Sequence, residues 1–121
     1  MKFNEIQDEV YRILQEADGR FRTAYQICTK IMDLYPPLWR RLREEYPSLL
    51  GQPPMGEGAG IYYSPASFVA HALNYFFDRD TNNIMKSWFD SKNITFEGTE
   101  PGFKGGWISI WAWRPSFEQN I

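Results

Sequence analysis

The chain has 121 residues, with 13 Lys and Arg against 15 Asp and Glu and an aromatic share of 17%. That length is the size of one ordinary domain, and the apolar share is enough for a real core. The near balance of charge holds in both halves (8 basic and 9 acidic groups in residues 1–60, 5 and 6 in 61–121), which excludes a basic or acidic tail and argues against a strongly basic nucleic-acid surface. Cys28 stands alone, so no intramolecular disulfide forms; no run approaches the ~18 apolar residues of a membrane span, and the mixed Lys2–Asp8 segment does not read as a leader, so the expected compartment is the cytoplasm, with no membrane partner.

Phe3, Ile6, Val10, Ile13, Leu14 and Ala17 fall at helical spacing, predicting an amphipathic helix of about four turns that closes at Gly19. The next helix opens at "TAYQ", where Thr23 and Gln26 have the spacing of a capping box. Its apolar stripe is Ala24, Ile27, Cys28, Ile31 and Leu34. Pro36 and Pro37 suit the first turn of a third helix, since a missing N–H there leaves no bond unmade. Leu38, Trp39, Leu42 and Tyr46 face inward along it, and Pro47 ends it.

The segment "GQPPMGEGAG" (Gly51–Gly60) holds four glycines and two prolines and reads as a loop. A fourth helix follows, with Ser64 as N-cap, Pro65 in the first turn, and Val69, Ala72, Leu73 and Phe76 inward. A short fifth helix is expected from Asp80 or Thr81, carrying Ile84, Trp88 and Phe89. The last third changes period. "NITFEGTEPGFKGGWISIWAW" reads as two strands, with Ile94 and Phe96 on one face of the first and Pro101-Gly102 in a type II turn. The expected architecture is one α+β domain over residues 1–121, about five helices followed by a C-terminal antiparallel hairpin. That element order is shared with the winged helix.

The second strand carries the strongest signal. Trp107, Trp111 and Trp113, three of the five tryptophans, share one face with Ser109, while Ile108, Ile110 and Ala112 share the other. The expectation is that the aliphatic face packs on the helices. Each indole offers roughly 150–250 Å², so the aromatic face would leave about 400–700 Å² seeking cover, on the order of 10 kcal/mol of burial. Three surfaces can cover it: the protein's own helices, a second subunit, or a small aromatic or apolar ligand walled also by Tyr62 and Tyr63.

Other signals are weaker. "GEGAG" lacks the lysine of a P-loop and follows no predicted strand, although the helix it precedes offers free N–H groups to an anion beside Tyr62, Tyr63 and Ser64. His71 is the only histidine, with no ligand at metal spacing, and reads as structural. Cys28, in an apolar stripe, reads as an inert buried thiol. Arg40, Arg41 and Arg43, with Arg20 and Arg22 near them, would serve a helix-turn-helix whose third helix meets DNA. Glu44 and Glu45 on that helix point instead to i,i+4 pairing, as Arg40–Glu44 and Arg41–Glu45.

"TAYQI" (Thr23–Ile27) and "GEGAGIYYSPASFVAHAL" (Gly56–Leu73) resemble small uncharacterised bacterial proteins, some of which travel in integron gene cassettes. The resemblance covers the middle of the chain and implies a soluble bacterial protein; it implies no activity, cofactor or catalytic residue. The residues themselves offer no nucleophile–base pair, metal spacing or cofactor fingerprint. The expectation is therefore a non-enzymatic interaction or binding module that self-associates as a homodimer, with a small-molecule pocket and a winged-helix DNA binder as the alternatives.

Overall fold

The computed structural model describes residues 1–47, 64–90, 92 and 106–115. A short 3-10 helix, Phe3–Ile6, leads into α1 (Gln7–Ala17). Then come α2 (Ala24–Leu34), α3 (Pro36–Glu45) and α4 (Pro65–Arg79), followed by strands β1 (Ile84–Asp90) and β2 (Trp107–Trp113). The architecture is α+β, with the helices first and a two-stranded antiparallel sheet last. None of the described helices is long and apolar enough to cross a membrane.

The helix signals act as their chemistry requires. Thr23 Oγ1 accepts from the Gln26 N–H at 3.1 Å, and Gln26 Oε1 accepts from the Thr23 N–H at 2.9 Å, closing the capping box of α2. Ser64 Oγ accepts from the Ser67 N–H at 3.1 Å, and Pro65 takes the first turn of α4. Helix α1 ends where Asp18 and Gly19 turn left-handed, at φ 38° and 88°. A Cβ on Gly19 would meet Pro115 Cγ at 2.7 Å, so both the backbone sign and the neighbour demand glycine there.

One apolar core joins these elements. It takes Ile6 from the 3-10 helix, Val10 and Leu14 from α1, Ile27, Cys28 and Ile31 from α2, and Trp39 and Leu42 from α3. Helix α4 lies at its centre: Pro65 through Ala70 are buried at every position, and Leu73 and Phe76 continue the buried stripe. A half-buried tie crosses the bundle, as Tyr11 Oη donates to Asp80 Oδ2 at 2.8 Å. Asp80 also accepts from Asn83 Nδ2 at 3.0 Å, which holds the turn between α4 and β1.

One expectation is corrected. The stretch from Ile84 is a strand and not a fifth helix; it pairs with β2 in the register Ile84↔Trp113, Lys86↔Trp111, Trp88↔Ser109 and Asp90↔Trp107. The spacing of Ile84 and Trp88, four residues, divides by two as well as fitting a helical turn, so periodicity alone could not separate the two states. On β2 the protein's own helices, one of the three covers expected for the indole face, take part of it. Trp111 is 2% exposed and belongs to the helical core, and Trp113 packs on Tyr11 at 5.1 Å between ring centroids. The indole face, not only the aliphatic one, meets the helices at this end of the strand. The Ile94–Phe96 strand and the Pro101-Gly102 turn lie outside the described residues.

Strand β2 is held on both edges. Its second neighbour is the segment before α2: the Arg22 N–H donates to Trp111 O at 2.7 Å, and the Trp111 N–H donates to Arg22 O at 2.9 Å. Arg114, just past β2, donates its backbone N–H to Asn83 O at 2.8 Å and its guanidinium to Thr81 O at 3.1 Å. These bonds fix Trp111 opposite the start of α2 and make the site described next.

Candidate functional site: an aromatic cleft between two helices and the sheet

The bridge at Arg22 places the beginning of α2 beside β2, and α4 passes beneath both. The space left between them is a cleft of about 180 Å³. Thr23, Ala24 and Tyr25 line it from α2. Helix α4 contributes Ala66 and Ala70, one turn apart, then His71 and Asn74. The two alanines on one face make room, because there the helix presents methyl groups opposite the large rings of β2. From β2 come Trp107, Ile108, Ser109 and Trp111.

The polar groups of the lining differ in how they are satisfied. Thr23 is engaged by its capping box. His71 donates Nδ1–H to Ser67 O at 2.7 Å, one turn back on α4; a carbonyl only accepts, so that nitrogen carries a proton. Trp111 Nε1 and Asn74 Oδ1 are different: both atoms are buried, and neither has a hydrogen-bond partner among the described residues. Leaving such a group unpaired costs about 1–3 kcal/mol.

The predicted site residues divide. Trp107 and Trp111 both line the cleft, Trp107 at its open side with 68% exposure and Trp111 at its buried side. Trp113 does not reach it and packs with Tyr11 instead. Tyr62, Tyr63 and the glycine-rich loop lie outside the described residues. Asn74 and Tyr25 were not singled out by sequence. The available signal for Asn74 is a carboxamide one turn after Ala70, beside the buried Ala72 and Leu73.

Beyond the cleft, Trp88 is 56% exposed and lies on the same sheet face as Trp107. Lys86 Nζ sits 5.3 Å from the Trp88 ring centroid and 5.9 Å from that of Trp111, a cation–π arrangement that links the buried and exposed indoles. The arginines go largely to carboxylates and carbonyls. Arg41 pairs with Glu5 at 3.2 Å and with Glu45 at 3.8 Å, the latter the i,i+4 pair expected from sequence. A backbone bond from Lys2, then the Arg41 guanidinium, hold the Glu5 carboxyl below its usual range. Arg20 caps the end of α1 through Ala17 O at 2.9 Å, while Arg40 and Arg43 are exposed. Cys28 is fully buried, and burial pushes its thiol well above the usual range. Among the described residues no three His, Cys, Asp or Glu side chains group to hold a metal ion.

Comparison of the chain with protein-family models, with curated proteins and with solved structures returned no match.

Proposed function

We propose that the chain is a binding module that takes a small, largely apolar, ring-shaped ligand into the cleft between α2, α4 and β2. The observation that carries this reading is the cleft itself: about 180 Å³ with indole walls from Trp107 and Trp111 over an alanine floor. A closed apolar cavity of about 150 Å³ holds a benzene ring, so the size is right for one ring and its substituents. Binding is read as a change in tryptophan fluorescence and a rise in melting temperature across a panel of small aromatic compounds. Ala70→Leu fills the floor and abolishes both responses while the protein stays folded. A panel that moves neither signal overturns the proposal.

Exposure of Trp88 and Trp107 on one sheet face favours a second reading, self-association as a homodimer through that face. Light scattering coupled to size-exclusion chromatography tests it. The expected result is a dimer that Trp88→Ser converts to monomer, and a strict monomer at high concentration removes the reading. The winged-helix DNA reading rests on Arg40 and Arg43, exposed on α3 beside Glu44 and Glu45. Those carboxylates and the ion pairs of Arg41 oppose phosphate contact, so duplex titration at low salt is expected to give no binding. A cytoplasmic location suits the lone Cys28, which has no second cysteine for a disulfide.

A further inference from the structure

Strand β1 has two edges, and β2 takes one of them. The backbone directions at the other follow from bonds made elsewhere on the sheet. The Trp111 N–H and C=O both bond Arg22, on the side of β2 away from β1. A residue in an antiparallel ladder points both groups the same way, so Trp111 and the residue opposite it, Lys86, share no hydrogen bond. Lys86 therefore turns its own N–H and C=O away from β2, and by alternation so do Trp88 and Asp90. The bond from the Arg114 N–H to Asn83 O fits this pattern, because Asn83 lies an odd number of residues from Lys86. Among the described residues, none bonds the backbone of Lys86, Trp88 or Asp90 at that outer edge.

Such a row of unpaired groups is a template for another strand. The side chains above it select which strand. Lys86, Trp88 and Asp90 share one sheet face and read cation, indole, anion. Trp88 is 56% exposed, and neither Lys86 nor Asp90 makes an ion pair among the described residues. Run antiparallel against itself, the row is its own complement. A two-fold axis at Trp88 sets the two indoles side by side and each Lys86 opposite the other copy's Asp90. An axis at Lys86 would oppose two ammonium groups. An axis at Ser87 would set the Asp90 carboxylate against the buried Ile84, whose N–H already donates to Asp80 O at 3.0 Å. The far edge of the sheet is occupied at Trp111 by Arg22, so the ladder closes at two copies and does not run on as a fibre.

We infer that two copies of this chain join edge to edge through β1, with Trp88 at the two-fold axis and a Lys86–Asp90 pair on each side of it. The inference rests on the reading that the chain self-associates and names the edge, the register and the charge code by which it does so.

Amide hydrogen exchange followed by NMR at low and high protein concentration, with light scattering on the same samples, tests it. Expected is exchange about tenfold slower at high concentration for the amides of Lys86, Trp88 and Asp90. Those of Met85, Ser87 and Phe89, which point to β2, keep one rate at both concentrations. Asp90→Lys sets like charges opposite each other and weakens the dimer about tenfold, and adding Lys86→Asp restores it. Should the double variant not fold, the exchange pattern of the parent decides the same question.

A dimer whose Lys86, Trp88 and Asp90 amides exchange alike at both concentrations overturns the inference while self-association stands. So does an Asp90→Lys variant that dimerises as the parent does, or a folded double variant that stays weakened. A strict monomer at high concentration overturns both.

Discussion

Trp111 joins the core to the cleft. Its ring is buried against the helices, its backbone bonds Arg22 on one edge and its strand pairs with β1 on the other. Trp111→Ala is expected to cost about 3–5 kcal/mol, read as a lower midpoint in urea unfolding, because it removes a large buried ring and leaves a void. Tyr11 makes a pH-dependent contribution. Burial, with the Asp80 carboxylate second, raises its hydroxyl from 10 to about 12. Between those values the unfolded chain releases the proton and the folded one keeps it, so stability falls as pH rises from 10 towards 12. Tyr11→Phe is expected to flatten that part of the curve relative to the parent, while losing about 1 kcal/mol at neutral pH with the Asp80 bond. Cys28 is expected to resist a thiol reagent in the native protein and to react fully once urea unfolds it, since burial blocks access and disfavours the thiolate.

At the level of elements, local chemistry and tertiary contact contribute unequally. Helix α2 begins where Thr23 and Gln26 say it should, because both bonds of the box are satisfied within four residues. Thr23→Ala is expected to cost about 1 kcal/mol in chemical denaturation, the usual value of a lost cap. Thr23 also lines the cleft, so the same variant is expected to weaken binding of the proposed ligand. Gly19→Ala is expected to cost about 1–3 kcal/mol in the same measurement, from the left-handed backbone and the contact with Pro115 together. Strand β1 illustrates the opposite case. Ile84, Lys86 and Trp88 share a sheet face, but Ile84 and Trp88 equally share a helix face, and only the ladder to β2 selects the strand. Nothing local to residues 84–90 carries that information.

For the whole molecule, β2 is the organising element. Arg22 on one edge and Lys86 on the other clamp it at Trp111, so a C-terminal strand closes over helices formed early in the chain. That closure makes the cleft, with alanines of α4 opposite indoles of β2. It also splits the tryptophans by position along one strand: Trp111 is inside, Trp113 against Tyr11, and Trp107 outside with Trp88. A sheet face that runs from buried to exposed can serve a ligand at its middle and a second subunit at its open end. The two proposed functions separate in Trp88→Ser, which is expected to change oligomeric state without changing affinity for a cleft ligand.

By itself the sequence determined the four α-helices, their caps and most of their buried faces, because periodicity and capping act within a few residues of chain. Val69, Ala72, Leu73 and Phe76 all lie inward on α4 as their spacing requires. It also marked Trp107 and Trp111 as residues to watch, since so much indole surface in one strand must meet something. The tertiary structure alone decided that residues 84–90 pair as a strand, that Trp111 turns towards the helices, and that Asn74 and Tyr25 meet it across a cleft. Those outcomes depend on contacts between segments tens of residues apart, and no local pattern encodes the register in which such segments dock.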